Sequence, residues 1–492
     1  MRPGSNDRCL LIGTRATVEM LRRQLNLLPQ TPTLIGAVFV EDGDVPAEPM
    51  KTLHLGSLDE LESVCRAHKP AMAIISLSGA MASHERQARR VLARCGVRTR
   101  VIPPLEELLA REPLPLSGKG AQAVDLASLV GRKPHPLDRE QLGRLLTGSR
   151  VLITGAGGSI GSEIARLCAS FDPALLILAD RSENAVFEID RILGSLHSGV
   201  ARRAVLHDVV DRQATRALVE QTQPDLIFHA AAHKHVPLME DHPAHALTNN
   251  FFGTCSIADA AVSCGVGRFV LISSDKAVNP TSVMGATKRL AEMYVQGLGG
   301  TSQTQMSMVR FGNVLGSACS VLPIWASQIA DGGPVTVTDA RMTRYFMTIP
   351  EAAGLVVHAA SLSQPSHAEV FVLDMGEPVS ILELAKRFVR AHGLEPVLSD
   401  GATGRWDEMP IVLTGMRPGE KLHEQLSYDA ESLRPTSHPG IMALREARAP
   451  EPARLAAMVE HLDRARREGS GARVVSAIER FVPQLAVRRV AA

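Results

Sequence analysis

The sequence predicts an α/β protein with a doubly wound parallel sheet carrying a smaller substrate-binding subdomain, preceded by a separate small Rossmann-like α/β domain. Three observations carry this expectation. Short apolar runs alternate with stretches of helical spacing from Cys9 onward, the pattern of βαβ units. A glycine-rich turn, Gly155 to Gly161, follows directly on the apolar run Val151–Thr154. The chain has 492 residues, more than one hydrophobic core usually supports, and 45% of them are apolar.

Residues 1–105 are expected to form the first domain. Cys9–Ile12 reads as a strand turned by Gly13, and Val18, Leu21, Leu25 and Leu28 recur at helical spacing. Leu34–Val40 is a second strand, Leu58–Cys65 a helix, Ala71–Leu77 a strand, Ala88–Cys95 a helix and Arg98–Ile102 a strand. Its first turn holds only Gly13, Thr14 and Arg15, too little glycine to cradle a pyrophosphate. A scaffolding or regulatory domain is therefore expected in preference to a second nucleotide site. Residues 106–147 are rich in Pro and Gly and read as a linker with a helix near its end.

Residues 148–445 are expected to form the cofactor-binding and substrate-binding domain. Gly155, Gly157, Gly158, Ser159, Ile160 and Gly161 make a tight turn between strand Val151–Thr154 and a helix from Ser162 to Ala169. Such a turn lets backbone approach a pyrophosphate and aims a helix N-terminus at it. The next strand, Leu175–Ala179, ends in Asp180, nineteen residues beyond Gly161. A carboxylate there accepts from ribose hydroxyls and repels a 2′-phosphate, which favours NAD; Arg181 beside it pulls toward NADP. After strand Ala204–Leu206 come Asp208, placed either to accept from the adenine amine or to cap a turn, and Val209. After strand Leu226–Phe228 come Ala230, Ala231 and Ala232, small enough for backbone to pass close to a cofactor. Lys234 follows them, within reach of a substrate hydroxyl or phosphate, with a solvated lysine as the equal alternative. His229, His233 and His235 mimic metal spacing, but lack neighbouring cysteine, and no metal is expected.

Net charge is +1 with a pI of 7.8, which argues against nucleic acid or acidic membranes as partners. Seven scattered cysteines without a CxxC pair argue against disulfides and zinc and fit a reducing cytoplasm. No run approaches the roughly eighteen apolar residues of a membrane helix. Met1 to Arg8 lacks a signal-peptide core.

The densest polar packet is Ser274, Asp275 and Lys276, with Met284 and Lys288 after a short gap. It closes the apolar run Arg268–Ile272, so these side chains emerge at a strand's carboxyl end, where ligands sit in open α/β sheets. Met284 and Lys288 lie one helical turn apart.

These stretches together resemble the extended short-chain dehydrogenase/reductase superfamily, and within it the nucleotide-sugar 4,6-dehydratases. The resemblance rests on Thr154–Glu163, His229–Glu240, Ser274–Thr281 with Met284–Arg289, Arg310–Val314, Thr343–Pro350 and Arg417–Lys421, in order. In most of that superfamily a tyrosine stands four residues before the lysine, where this chain has Met284. Methionine there is similar to the branch acting on UDP-N-acetylglucosamine in polysaccharide biosynthesis, a branch that carries an N-terminal Rossmann-like domain behind membrane helices. Ser282, where that branch shows asparagine, is a milder departure.

The resemblance implies that Lys288 binds the nicotinamide ribose and that Asn313 contacts substrate. It implies too that Arg344, Arg417 and Lys421 serve the UDP-sugar, through its diphosphate and ribose. A thioether cannot titrate near neutral pH, so the remaining chemistry falls to the packet. Oxidation at C4 acidifies C5; a neutral Lys276 removes that hydrogen, a protonated Asp275 gives a proton to the C6 hydroxyl, and Ser274 holds the C4 oxygen. A positive nicotinamide and Lys288 are expected to lower the pKa of Lys276, and Asp275 to raise it. The rivals are a 4-epimerase and a non-catalytic sensor of NAD or a UDP-sugar. Residues 446–492 are expected to form C-terminal helices, with Leu455, Met458, Leu462, Val474 and Ile478 as a packing or homo-oligomer surface.

Overall fold

The computed structural model describes residues 8–25, 32–40, 53–77, 81–102, 130–132, 134–363, 368–399, 408–428, 431–445 and 450–489. The chain divides into two compact units, residues 1–118 with 389–411 and residues 119–388 with 412–492.

The first unit is built on β1 (Arg8–Gly13), β2 (Thr33–Phe39), β3 (His54–Ser57), β4 (Met72–Ser76) and β5 (Arg98–Val101). They form a parallel sheet in the order β3-β2-β1-β4-β5. Successive side chains of β1 point to opposite faces. Cys9 and Leu11 join Val18, Leu21 and Leu25 of α1 (Arg15–Leu25), while Leu10 and Ile12 join α2 (Leu61–His68) and α3 (Ala82–Arg94). β3 has no counterpart in the sequence reading, because four residues holding a histidine and a glycine give no apolar run. Leu28 lies outside the described residues. At the first turn a Cβ on Gly13 would lie 2.5 Å from Thr17 Oγ1 and 2.6 Å from the Ser76 carbonyl. Thr17 Oγ1 donates to Ser76 O at 2.9 Å, so the turn is closed by its own hydroxyl.

The second unit is built on a nine-stranded sheet. Its strands are β6 (Arg150–Thr154), β7 (Leu175–Asp180), β8 (Arg202–Leu206), β9 (Leu226–His229), β10 (Arg268–Ile272), β11 (Gln305–Arg310), β12 (Ala368–Leu373), β13 (Leu433–Pro435) and β14 (Ile441–Leu444). The order is β13-β14-β12-β11-β10-β9-β6-β7-β8. All neighbours from β8 to β12 pair in parallel, and β14 and β13 add an antiparallel edge. The strand order reverses between β6 and β9, which opens a crevice at their carboxyl ends.

Helices cover both faces. Val151 and Ile153 pack with α4 (Arg139–Leu146), α5 (Ser159–Ala169), α6 (Glu183–Leu196) and α10 (Ile349–Leu362). Leu152 packs with α7 (Arg212–Thr222), α8 (Gly253–Ser263) and α9 (Val283–Gly299).

One expected boundary gives way to packing. The stretch taken as linker does not stay outside the core at its end: Leu142 and Leu146 are fully buried, and Arg132 pairs with the buried Glu351 at 3.0 Å. Residues 103–129 lie outside the described residues. The C-terminal stretch forms the helices α11 (Pro452–Arg467), α12 (Gly471–Phe481) and α13 (Gln484–Arg489). Leu455, Met458, Leu462, Val474 and Ile478 share one apolar cluster with Met284 and Leu290 of α9. Among the described residues, no helix is long and apolar enough to cross a membrane.

Candidate active site

The glycines after β6 are dictated by space. Gly155 has φ +70°, and a Cβ on it would lie 2.7 Å from the Ala231 amide nitrogen. A Cβ on Gly157 would meet the Ala185 Cβ at 2.4 Å, and one on Gly161 the Gly155 carbonyl at 2.1 Å. Gly158 caps α5, which starts at Ser159, three residues earlier than the sequence suggested. Ser159 Oγ accepts from the Ala318 amide at 3.2 Å, and Ile160 packs toward the core.

Asp180, at the end of β7, accepts from the Gly157 amide at 3.0 Å and the Ser182 amide at 2.9 Å. A cleft opens over these groups, with Gly155, Gly158, Asp180 and Arg181 on one side. Asp208, Val209, Ala230, Ala231 and Ala232 line it opposite. Thus most of the residues expected to hold a dinucleotide surround one space at the β6/β9 crossover, and they fit that group. His207, His233 and Asn249 also line the cleft and were missed. Asn249 holds Arg181 by accepting from its guanidinium at 3.2 Å. Asn250 brackets His233, accepting from its amide at 2.7 Å and donating to its carbonyl at 3.0 Å.

Beneath the cleft, His229 is 2.7 Å from Thr154 Oγ1 and 3.0 Å from Thr254 Oγ1. Burial, helped by Lys288, pushes its pKa down to about 3 and keeps it neutral. Lys234 reaches across to donate to the Ala318 carbonyl at 2.9 Å, and burial lowers its pKa.

The Ser274–Lys276 packet sits at the carboxyl end of β10. The Asp275 amide donates to the Phe311 carbonyl at 3.0 Å, fixing the turn to β11. Asp275 is fully buried. Its Oδ1 accepts from Ser274 Oγ at 2.9 Å and from Lys276 Nζ at 3.0 Å. Asp275 Oδ2 has no hydrogen-bond partner among the described residues. Lys276 Nζ also donates to Asn313 Oδ1 at 3.3 Å and lies 3.5 Å from Glu424 Oε1.

Burial raises the Asp275 pKa; Lys276 opposes that and Glu424 adds to it. Of the two opposing influences expected on Lys276, the upward one from Asp275 prevails. Burial pulls it down, but Asp275 and Glu424 outweigh that and hold it above the usual lysine range. Two carboxylates on one ammonium are the physical reason.

On α9, Ser282 accepts from the Gly285 amide at 3.1 Å and caps the helix. Met284 is buried, 3% exposed. Lys288, one turn on, donates to the Ile272 carbonyl at 2.6 Å. Burial lowers its pKa to about 8, with Glu292 pulling the other way.

The three cations expected to meet the diphosphate do not converge on open space. Arg344 is buried and donates to the carbonyls of Thr343, Leu422 and Lys421 at 2.7, 3.1 and 2.8 Å, so its guanidinium is spent on pinning that segment. Lys421 is buried and donates to the Val278 carbonyl at 2.7 Å. Arg417 alone is at the surface, paired with Glu420. Glu424 was missed. Its only trace in the sequence is its position three residues after Lys421, one more acid in a polar stretch.

Residues 151–446 match the family described as "Polysaccharide biosynthesis protein". The chain belongs to that family. It is 41% identical over 444 residues to the probable polysaccharide biosynthesis protein EpsC of Bacillus subtilis, covering 89% of this chain and 71% of that relative. It is 32% identical over 285 residues to a protein of Campylobacter jejuni named UDP-N-acetylglucosamine 4,6-dehydratase (inverting), covering 57% of this chain and 78% of the other. Proteins named UDP-glucose 4-epimerase, such as that of Rickettsia canadensis, match at 28% identity over 56% of this chain and 76% of theirs. The solved structure of Pen from Bacillus thuringiensis matches with a TM-score of 0.55 at 30% identity, covering 62% of this chain and 89% of that one. This polysaccharide biosynthesis family member therefore has the fold and motif order of nucleotide-sugar-modifying enzymes.

Proposed function

We propose that this protein is an NAD-dependent 4,6-dehydratase of a UDP-sugar, with UDP-N-acetylglucosamine as the leading substrate. The observation that carries the reading is the Asp275–Lys276 pair, a fully buried carboxyl 3.0 Å from an amine at the end of β10, the neighbour of β9, whose following residues Ala230, Ala231 and Ala232 line the cleft. The name of the Campylobacter jejuni relative supports it.

NAD, which Gly155–Gly161 and Asp180 would hold, would supply reversible storage of the hydride that moves from C4 to C6. The chain's own groups move the protons. Once C4 is a ketone, the C5 hydrogen is acidified; Lys276 Nζ takes that proton, and the C5–H electron pair forms the enolate. Asp275 gives its proton to the C6 hydroxyl, which leaves as water while the enolate electron pair re-forms the C4 carbonyl and opens a C5=C6 double bond; as C6 gains hydride, Lys276 returns a proton to C5. Ser274 Oγ, 2.9 Å from Asp275 Oδ1, donates to the C4 oxygen once the sugar is bound. The working form is a neutral amine beside a neutral acid. It carries the same total charge as the ion pair, so one proton crossing 3.0 Å interconverts them; burial of Asp275 draws toward the neutral side, against the hold of Asp275 and Glu424 on the Lys276 proton.

A 4-epimerase returns hydride to C4 and has no use for an acid–base pair that expels water; a sensor turns over neither ligand. Incubation with UDP-N-acetylglucosamine and NAD, followed by mass spectrometry of the sugar nucleotide, separates the readings. Loss of one water is the predicted result. An isobaric product, or an unchanged one, contradicts the dehydratase.

A further inference from the structure

Glu424 is a buried carboxylate that the proton transfers above do not use, yet three cations face it. Its Oε1 lies 3.5 Å from Lys276 Nζ and 4.0 Å from Arg344 Nε, and its Oε2 lies 3.4 Å from Lys421 Nζ. Among the described residues, Asp275 makes its ion pair with Lys276 alone. Two carboxylates thus share one lysine, and their surroundings are unequal: Glu424 sits among Lys276, Lys421 and Arg344, whereas Asp275 has Ser274 and Lys276, both on Oδ1. Like charges this close do not both ionise readily, and the one in the more positive surroundings ionises first.

We propose that Glu424 is a positioning residue whose standing charge keeps the proton on Asp275, leaving Asp275 to act as the acid. The consequence rests on the dehydratase reading for its use in catalysis, but not for its electrostatics. Burial opposes ionisation of Glu424, and Lys276, Lys421 and Arg344 outweigh it, drawing its pKa down; for Asp275 burial and Glu424 both act upward. The groups facing Lys276 are Asp275, Glu424, Arg344, Lys421 and Asn313. Removing the Glu424 charge lowers the pKa of both Asp275 and Lys276. Asp275 then ionises to balance Lys276, and the acid is lost at neutral pH.

Infrared spectroscopy of the full chain at neutral pH tests the electrostatics without substrate. Wild type is expected to show the carbonyl stretch of a buried protonated carboxyl that disappears in Asp275→Asn and Glu424→Gln and survives in Glu424→Asp. Absence of that band from wild type, its persistence in Asp275→Asn, or an unchanged band in Glu424→Gln overturns the proposal. Dinucleotide affinity reports that each variant is folded. In water elimination, both limbs of the pH profile of Glu424→Gln move down by roughly 1–3 pH units, and Glu424→Asp restores them. A uniform loss of rate with unmoved limbs assigns Glu424 a merely structural role and overturns the proposal. A wild type that shows the band but removes no water from UDP-N-acetylglucosamine sinks the dehydratase reading and leaves the role of Glu424 standing.

Discussion

Gly285, in the first turn of α9, meets the backbone of Lys276 so closely that a Cβ would lie 2.2 Å from the Lys276 carbonyl oxygen. The helix that carries Lys288 is thereby seated directly on the turn that carries Asp275 and Lys276. Gly285→Ala must push the two apart, because backbone cannot yield as a flexible side chain does. Overpacking of this kind costs about 1–3 kcal/mol. Denaturant unfolding should show that loss, and kcat should fall more than dinucleotide affinity.

Glu292 ties the same helix to the sheet. It accepts from Arg310 at two points, both at 2.8 Å, and from Ser273 Oγ at 2.6 Å. Burial opposes its ionisation, but Arg310, Arg289 and Ser273 prevail and draw its pKa down to about 2. A depressed carboxyl pKa adds stability that is present above the unfolded value of 4.5 and is lost as pH falls toward 2. Glu292→Gln, which leaves a buried guanidinium short of charge, should cost about 3–5 kcal/mol at neutral pH. It should also flatten the acid loss, as urea titrations between pH 4.5 and 2 can show.

Lys288 gives the same slope in a higher window, although its shift lowers stability at neutral pH. Its pKa is about 8 folded against 10.5 unfolded, so the unfolded chain binds more protons between those values and stability rises with pH across that window. Other groups also titrate there, so the comparison is with Lys288→Met. The unfolding free energy of wild type relative to that variant should grow from pH 8 to 10.5, by at most about 1.4 kcal/mol for each pH step of one. A difference that stays flat contradicts the buried, discharged lysine.

Asp180 is fixed by two amides, of Gly157 and Ser182, which orient it toward the cleft it lines. Asp180→Ala removes both anchors and the ribose acceptor. NAD affinity, measured by calorimetry, should weaken about tenfold or more, and the preference for NAD over NADP should narrow.

Much of this was legible in residue order. Val151–Thr154 followed by Gly155–Gly161 marked the strand, turn and helix because steric need for glycine leaves a local trace. Ser274, Asp275 and Lys276 stood out because an apolar strand ends at them. What stayed hidden depends on contacts far apart in sequence. Arg344 reads as a ligand arm until the carbonyls of Lys421 and Leu422 are seen to occupy it. Glu424 meets Lys276 across 148 positions of chain, and no periodicity announces that. The linker reading failed at Leu142 and Leu146 because proline and glycine upstream describe chain flexibility and say nothing of where an amphipathic helix docks. The antiparallel β13–β14 edge, short and flanked by Pro435 and Gly440, gave no alternating run to detect.

In the proposed dehydratase reaction Lys276 takes the C5 proton. The most direct test is the reaction of UDP-N-acetylglucosamine in heavy water, with the product's C5 position read by NMR and mass. Wild type should release water and carry deuterium at C5, while Lys276→Ala should bind NAD normally and do neither. Full water loss by Lys276→Ala, or a wild-type product without deuterium at C5, would contradict the account.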